Sequence, residues 1–363
     1  MRQSVLIYFF IFFVLISLVG GSVLTTYSQF VADGPLTERM DVVIPKGKSL
    51  KELARHLKEQ GVINSSSVFE LGVRAGGNAT KLKAGEYSVP PKASAKIVMM
   101  ILVDGQTVVR RFIVPEGATS RQVIDLMDNM YGLMGTVEQI PAEGTLLPET
   151  YHYSYGDTRQ SLIDRMQSGM SRVLAELWES RDKSIILKTP YQAITLASIV
   201  EKETGLDSER ARIAAVFYNR LSKKIRLQSD PTVIYGLTGG KTDFKRKLTY
   251  ADLRKNNPYN TYVIYGLPQG PICNPGVASL RAVLSPIHTT DVYFVADGKG
   301  GHTFSATYKE HQENVQTWRT VRKDRVALTE LQKVGKAKSL PMPAHAPDGV
   351  RETPAPVAPL PAP

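Results

Sequence analysis

Lys188 to Gly205 reads KTPYQAITLASIVEKETG. Thr189 is an N-cap, Pro190 occupies the first turn and Gly205 supplies a stop, so the spacing predicts a helix of about four turns. At about 100° per residue its polar stripe comprises Thr195, Ser198 and Lys202. Ile194, Leu196, Ala197, Ile199 and Val200 cover most of the remaining circumference, and a domain of mixed helices and strands is expected to be built around this helix. Glu201 falls beside Ile194 and Ala197, and Glu203 beside Leu196 and Ile199, so neither carboxylate lies in the middle of the polar face. Burial against apolar groups disfavours a carboxylate's charged form, and a protonated glutamic acid near neutral pH is what a general acid requires. The alternative is that both residues, near a helix end, reach solvent or Arg partners. Periodicity does not choose between the two glutamates.

Polar clusters follow downstream. Asp207-Ser208-Glu209-Arg210 reads as the cap of a second helix carrying Ile213, Val216, Phe217 and Leu221, with Asn219-Arg220 near its end. Arg226 to Gly236 (RLQSDPTVIYG) holds too many hydrogen-bonding side chains beside a Pro for an ordinary core element. Pro258 to Tyr262 and Gly266 to Gly276 (GLPQGPICNPG) are turn-dense, with a backbone shape set by Gly and Pro that presents amides and Asn to a ligand. Val292 to Ala296 reads as a buried strand, followed by Gly300 to Ser305; a lone His302 there is more often structural than catalytic. Interleaved polar and aromatic groups between residues 189 and 311 suit an extended sugar chain. HExxH, GxSxG, Walker and GxGxxG patterns are absent, and no metal or cofactor is expected.

Upstream, Val5 to Leu24 (VLIYFFIFFVLISLVGGSVL) carries no charge. Twenty residues at about 1.5 Å each cover the ~30 Å hydrocarbon layer. A cleaved secretory signal has a shorter apolar core followed by small-x-small; here Gly20-Gly21-Ser22 lies within the run, so an uncleaved anchor is expected. Arg2 belongs on the cytoplasmic side, which exports everything after Tyr27. Asp41 to Pro45 reads as a strand, Ser49 as the N-cap of a helix over Leu50 to Gln60, and Gly61 as its stop. A further helix begins at Ser66 or Ser67. Strands are expected over Ala84 to Val89 and Thr107 to Val114, and a helix over Ser120 to Met127. IPKGKSLKELARHLKEQGVI (Ile44 to Ile63) resembles a LysM-type glycan-binding module, and VPEGATSRQVIDLM (Val114 to Met127) repeats its turn-then-helix pattern. From Ser339 the chain is Pro- and Ala-rich, which predicts a disordered, partly polyproline II tail.

The chain has 363 residues, 42% apolar and 22% charged, as in a globular protein. One cysteine, Cys273, excludes an internal disulfide framework and Cys-rich metal sites, and nothing in its surroundings makes it a nucleophile. Forty-five basic against 34 acidic residues give +11. In an exported domain that charge meets lipid headgroups or an anionic wall polymer rather than nucleic acid.

LASIVEKET (Leu196 to Thr204), RLQSDPTVIYG, YNTY (Tyr259 to Tyr262), GLPQGPICNPG, EGTLLPETYHY (Glu143 to Tyr153) and YFVADGKGGHTFSATYKEH (Tyr293 to His311) together resemble the YceG/MltG-like endolytic murein transglycosylases over about Pro45 to Lys323. The resemblance implies a single-pass inner-membrane protein with a periplasmic catalytic domain. Such a protein cuts β-1,4 bonds between N-acetylmuramic acid and N-acetylglucosamine in nascent peptidoglycan, leaves 1,6-anhydro ends and limits strand length, with peptidoglycan synthases as partners. It also implies Glu201 as the catalytic residue, and Glu203, Gln228, Asp230, Thr232, Tyr259, Asn260 and Asn274 as substrate-cleft residues. Gln269 departs from the Pro common in the family. The expected fold is α+β. Residues 1–38 are the stub, anchor and linker, 39–115 a LysM-like module, 116–330 the catalytic domain and 331–363 the tail. Two other readings compete. One is a hydrolytic muramidase using Glu201 and Asp230, because an ordinary glycosidase needs two carboxylates; the other is a non-catalytic peptidoglycan-binding scaffold.

Overall fold

The computed structural model describes residues 2–241 and 244–333. The chain forms two compact units, residues 1–111 with 131–134 and 152–158, and residues 112–130, 135–151 and 159 onward.

In the first unit, α1 (Arg2–Val31) is a 30-residue helix, and its stretch Phe9–Val31, with mean hydropathy 2.2, is long and apolar enough to cross a membrane. The helix continues seven residues past Leu24, where the apolar run ends. The reason lies in its last turn, where Phe30 is buried in the unit's core. Its ring lies so close to Gly72 that any Cβ there would collide with it. Next come β1 (Met40–Ile44), α2 (Leu50–Glu59), α3 (Ser66–Ala75), β2 (Gly85–Val89) and α4 (Ala95–Asp104). Ser49 and Glu52 close a capping box at the start of α2, and Ser65 and Ser94 cap α3 and α4. β1 and β2 pair antiparallel, Met40 opposite Val89 and Ile44 opposite Gly85. This places Val42, Ile44, Tyr87 and Val89 over Leu53, Leu57, Phe69 and Leu102. Residues 95–104 were not expected as a helix; AKIVMMILVD is apolar on every side and shows no period. β3 (Val109–Ile113) pairs with β4 (Thr150–Ser154), and Arg110 makes a bidentate pair with the buried Glu86 (2.6 and 3.1 Å).

The second unit contains α5 (Ser120–Asp128), α6 (Arg159–Glu179), α7 (Pro190–Glu203), α8 (Asp207–Ser222), α9 (Asp230–Thr238), α10 (Tyr250–Arg254) and α11 (Val277–Leu284). The antiparallel hairpin of β5 (Tyr293–Ala296) and β6 (His302–Ser305) follows, then α12 (Tyr308–Lys333). The mixed helix-and-strand architecture agrees with the α+β expectation. α7 is the core element: all eight residues from Ala193 to Val200 are buried, against Ile213, Ala214 and Phe217 of α8 and Leu280 and Val283 of α11.

The polar stripe expected on α7 is largely interior. Thr195 and Ser198 are buried, and each hydroxyl donates to a carbonyl of the preceding turn (Tyr191 O, 2.7 Å; Thr195 O, 2.7 Å). Ser198 Oγ also accepts from Ile272 N–H (3.0 Å), so the stripe holds the 266–276 loop instead of facing water. Residues 230–238, which begin within the Arg226 to Gly236 run whose polar side chains beside a Pro set it apart from an ordinary core element, are helical with Pro231 in the first turn. The segment 207–210 is the first turn of α8 and not its cap; Leu206 occupies that position without a side-chain bond. α12 runs through residues 331–333, the first three assigned to the tail. The Pro-rich stretch from Ser339 lies outside the described residues.

Candidate active site

Glu201 is in the last turn of α7, with its side chain only 5% exposed. Gly276 N–H donates to its Oε2 (2.9 Å), and Arg210 Nη2 stands 3.7 Å from its Oε1. Periodicity suggested an apolar setting; the carboxyl meets a backbone donor and a guanidinium instead. The Arg partner comes from α8, which turns back along α7 after Gly205. Burial and Arg pairing, weighed as alternatives on periodicity, therefore occur together at this side chain.

A second carboxylate shares the guanidinium. Glu116 Oε2 lies 3.6 Å from Arg210 Nη2, and its side chain is 46% exposed. Burial, and next the neighbouring Glu201, push the Glu116 carboxyl above the usual carboxylate range, while Arg210 opposes the shift. Asp207, on the same helix as Arg210, pairs with its Nη1. The loop carrying Glu116 is fixed from both sides. Lys202 Nζ donates to Gly117 O (3.2 Å), and Gly117 N–H donates to Asn274 O (3.0 Å). At Gly276 a Cβ would collide with Glu116 Oε1, so only glycine lets the Glu116 carboxyl occupy this seat.

Asn274 is fully buried and its amide is fully used. Its Oδ1 accepts from Leu146 N–H (2.9 Å), and its Nδ2 donates to Ala118 O (3.0 Å), Ser120 Oγ (3.2 Å) and Glu143 Oε1 (3.3 Å). Glu143 also accepts from Ser120 N–H (2.8 Å) and Tyr235 OH (3.2 Å), and burial pushes its carboxyl upward. The Tyr235 ring packs on Tyr259, with centroids 4.8 Å apart. Asn274 thus ties the 117–120 and 142–146 segments to the 266–276 loop. Replacing it with Ala leaves buried donors and acceptors unpaired, so Asn274→Ala is expected to lower stability by about 3 kcal/mol, read from denaturant midpoints, with little change in KM of the folded fraction.

Glu203 points the other way, since two residues along a helix are about 200° apart. It belongs to a separate group around Arg220. Ser229 Oγ–H donates to Glu203 Oε1 (2.5 Å), Tyr262 OH donates to Asp230 Oδ1 (2.6 Å), and Arg220 Nη1 donates to Gln228 Oε1 (3.3 Å). Gln228 is one of three non-glycine residues with positive φ among those described (53°), held there by its N–H on Thr261 O (3.1 Å). Thr232 is buried against Thr261 Oγ1 (2.9 Å). The Asn260 amide donates to Leu253 O (3.0 Å) and Lys255 O (2.8 Å) and accepts from Tyr262 N–H (3.0 Å).

Burial pushes Glu203 up to about 7, against the bond from Ser229 and aided by Asp230; burial also raises Asp230. A folded chain that keeps this proton up to about 7, when the unfolded chain releases it near 4.5, loses stability as pH rises across that interval. Between about pH 5.5 and pH 8 the Glu203 contribution falls by about 2 kcal/mol. Denaturant midpoints of Glu203→Gln are expected to lack that part of the fall and to exceed the parent's at the alkaline end.

The eight expected site residues therefore fall into a Glu201–Asn274 group and a Glu203–Gln228–Asp230–Thr232–Asn260 group, with Tyr259 joining the first through Tyr235. Glu116, Glu143, Arg210, Arg220 and Tyr262 were not among the expected residues. Cys273 is buried, donates to Ser198 O (3.3 Å) and is pushed well up by burial, which suits packing rather than nucleophilic attack. Among the described residues no group of His, Cys, Asp and Glu could hold a metal ion.

The YceG-like family model matches residues 42–317. The chain is 32% identical over 305 residues to an endolytic murein transglycosylase of Bacillus subtilis, covering 76% of this chain and 83% of that one. It is 28% identical over 360 residues to an endolytic murein transglycosylase of Streptococcus pneumoniae, covering 86% of this chain and 65% of that one. A crystal structure of a YceG-like protein from Listeria monocytogenes covers 76% of this chain and 99% of its own at 32% identity, with a TM-score of 0.48. Because the family model spans most of the chain and the Bacillus subtilis relative is 32% identical over most of both chains, the chain belongs to the YceG-like family.

Proposed function

We propose that this protein is a membrane-anchored lytic transglycosylase, a carbon–oxygen lyase that cuts β-1,4 MurNAc–GlcNAc bonds inside nascent peptidoglycan strands. The observation that carries this reading is the seat of Glu201: a nearly buried carboxyl between a backbone N–H and a guanidinium, with a more exposed carboxylate beside it. The relatives' names supply the substrate class.

Protonated Glu201 gives its proton to the glycosidic oxygen as the bond to C1 of the muramic acid breaks through an oxocarbenium-like state. The resulting carboxylate takes the proton from that sugar's own C6 hydroxyl, whose oxygen closes on C1. Water is not consumed, the proton on Glu201 is restored, and the intramolecular nucleophile gains from proximity. Gln228, Tyr259 and the edge of the Asp230 group line the substrate's path in this reading. Asn260, Asn274 and Thr232, buried and fully bonded, position those segments.

A muramidase based on Glu201 and Asp230 draws less support, because Asp230 is held by Tyr262 in the Arg220 group. The anchor is supported by the stretch Phe9–Val31, which is long and apolar enough to cross a membrane. In this orientation the second unit is periplasmic, and the synthases that make nascent strands are the natural partners. The LysM-like reading of residues 39–115 rests on the strand–helix–helix–strand order from β1 to β2, which would place a glycan-binding module next to the bilayer.

Weighing the new ends of cleaved glycan tests the reaction. Anhydro ends, lighter by one water than reducing ends, are expected; reducing ends would indicate the hydrolytic alternative, and no new ends a scaffold.

A further inference from the structure

Arg210 is a buried cation that faces three carboxylates: Glu201 at the end of α7, Glu116 in the loop before α5, and Asp207 on its own helix. Lys202 is the other cation at this place, and its Nζ is directed to Gly117 O. Glu149 adds a further negative charge to the surroundings of Glu116. Arg210 and Lys202 together do not balance these four carboxylates, so the cluster favours keeping a proton. Of the two carboxyls nearest each other, Glu201 is nearly enclosed and Glu116 is half exposed. The backbone of Gly276 lies between them, donating its N–H to Glu201 and making room for Glu116 by lacking a Cβ.

Resting on the reading above, we propose that Glu116 is a positioning residue that acts through Glu201: the two carboxyls, joined by Arg210 and the Gly276 backbone, work as one coupled acid whose outer member faces the surface. In such a pair the negative charge on one carboxyl holds the proton on the other, and the titration belongs to the pair. Burial and the presence of Glu201 already favour the protonated form at Glu116. A carboxyl kept protonated in this way is what proton donation to a sugar oxygen requires.

The test is the pH dependence of kcat/KM for glycan cleavage by the full chain in detergent, comparing the parent with Glu116→Gln and Glu116→Asp. Glu116→Gln is expected to retain anhydro products while its alkaline limb moves down by about one pH unit. Glu116→Asp, which keeps the charge, should hold the limb near the parent's position. Gly276→Ala gives a second route to the same answer, because its methyl group evicts the Glu116 carboxyl without removing it; the limb should again move down. If Glu116 served only to clasp its loop, Glu116→Gln would lower the melting temperature or scale the rate equally at all pH values, and a superimposable limb would overturn the proposal. Failure of the underlying reading is distinguishable, since the parent protein would then yield no anhydro ends at any pH.

Discussion

Glu201→Gln is expected to reduce the turnover of glycan cleavage by about 10²–10⁴-fold, the usual contribution of a general acid, while the protein stays folded. The amide oxygen of Gln can still accept from Gly276 N–H, which Glu201 does at 2.9 Å. Arg210 keeps Glu116 and Asp207 as counter-charges, so no buried cation is stranded. The loss should therefore fall on kcat with KM nearly unchanged, the pattern of an interaction made in the transition state. Equal melting curves together with a collapsed rate at saturating substrate would be the signature. A variant that turned over normally would remove Glu201 from the chemistry.

Arg210→Ala should have the largest effect on stability. Its guanidinium is buried and stands within 4 Å of Glu116 and Glu201. Deleting one side of a buried charge cluster leaves the other side uncompensated, at a cost of about 3–5 kcal/mol. The sign of its pH dependence follows from Glu116, whose carboxyl is already raised by burial and by Glu201. Protonation relieves the stranded charge, so the destabilisation should be smaller in mild acid than above neutrality. Chemical denaturation at the two pH values measures this; a loss independent of pH would show that Arg210 contributes packing rather than charge compensation.

The parts of the fold legible in the sequence are those fixed by neighbours along the chain. Ser49 with Glu52, Thr119 with Gln122, and Thr189 with Pro190 announce α2, α5 and α7, and all three caps form. α4 has no polar face to give a period. The segment from Arg226 to Gly236 shows no helical signal in its sequence, because Gln228, Asp230 and Thr232 read as side chains available to a ligand. Their partners are Arg220, Tyr262 and Thr261, contacts across the fold that no local pattern discloses.

The same limit applied to the site. Helical spacing showed that Glu201 and Glu203 left the polar face, but not that α8 would return Arg210 to one of them and Ser229 would meet the other. Glu116 carried a faint signal: an acidic residue in the turn between a strand and a capping Thr, within VPEGATS. Gly276 had none, since its role is the absence of a side chain beside a carboxylate distant in sequence.

In the proposed reaction the carboxyl of Glu201 passes a proton to the bridging oxygen and recovers one from the departing ring. Mass analysis of glycan ends produced by the full chain and by Glu201→Ala, at matched protein and nascent-strand concentrations, tests it most directly. Anhydro-muramic ends should accumulate with the parent and be absent with the variant; anhydro ends forming at the parental rate with alanine at position 201 would contradict the account.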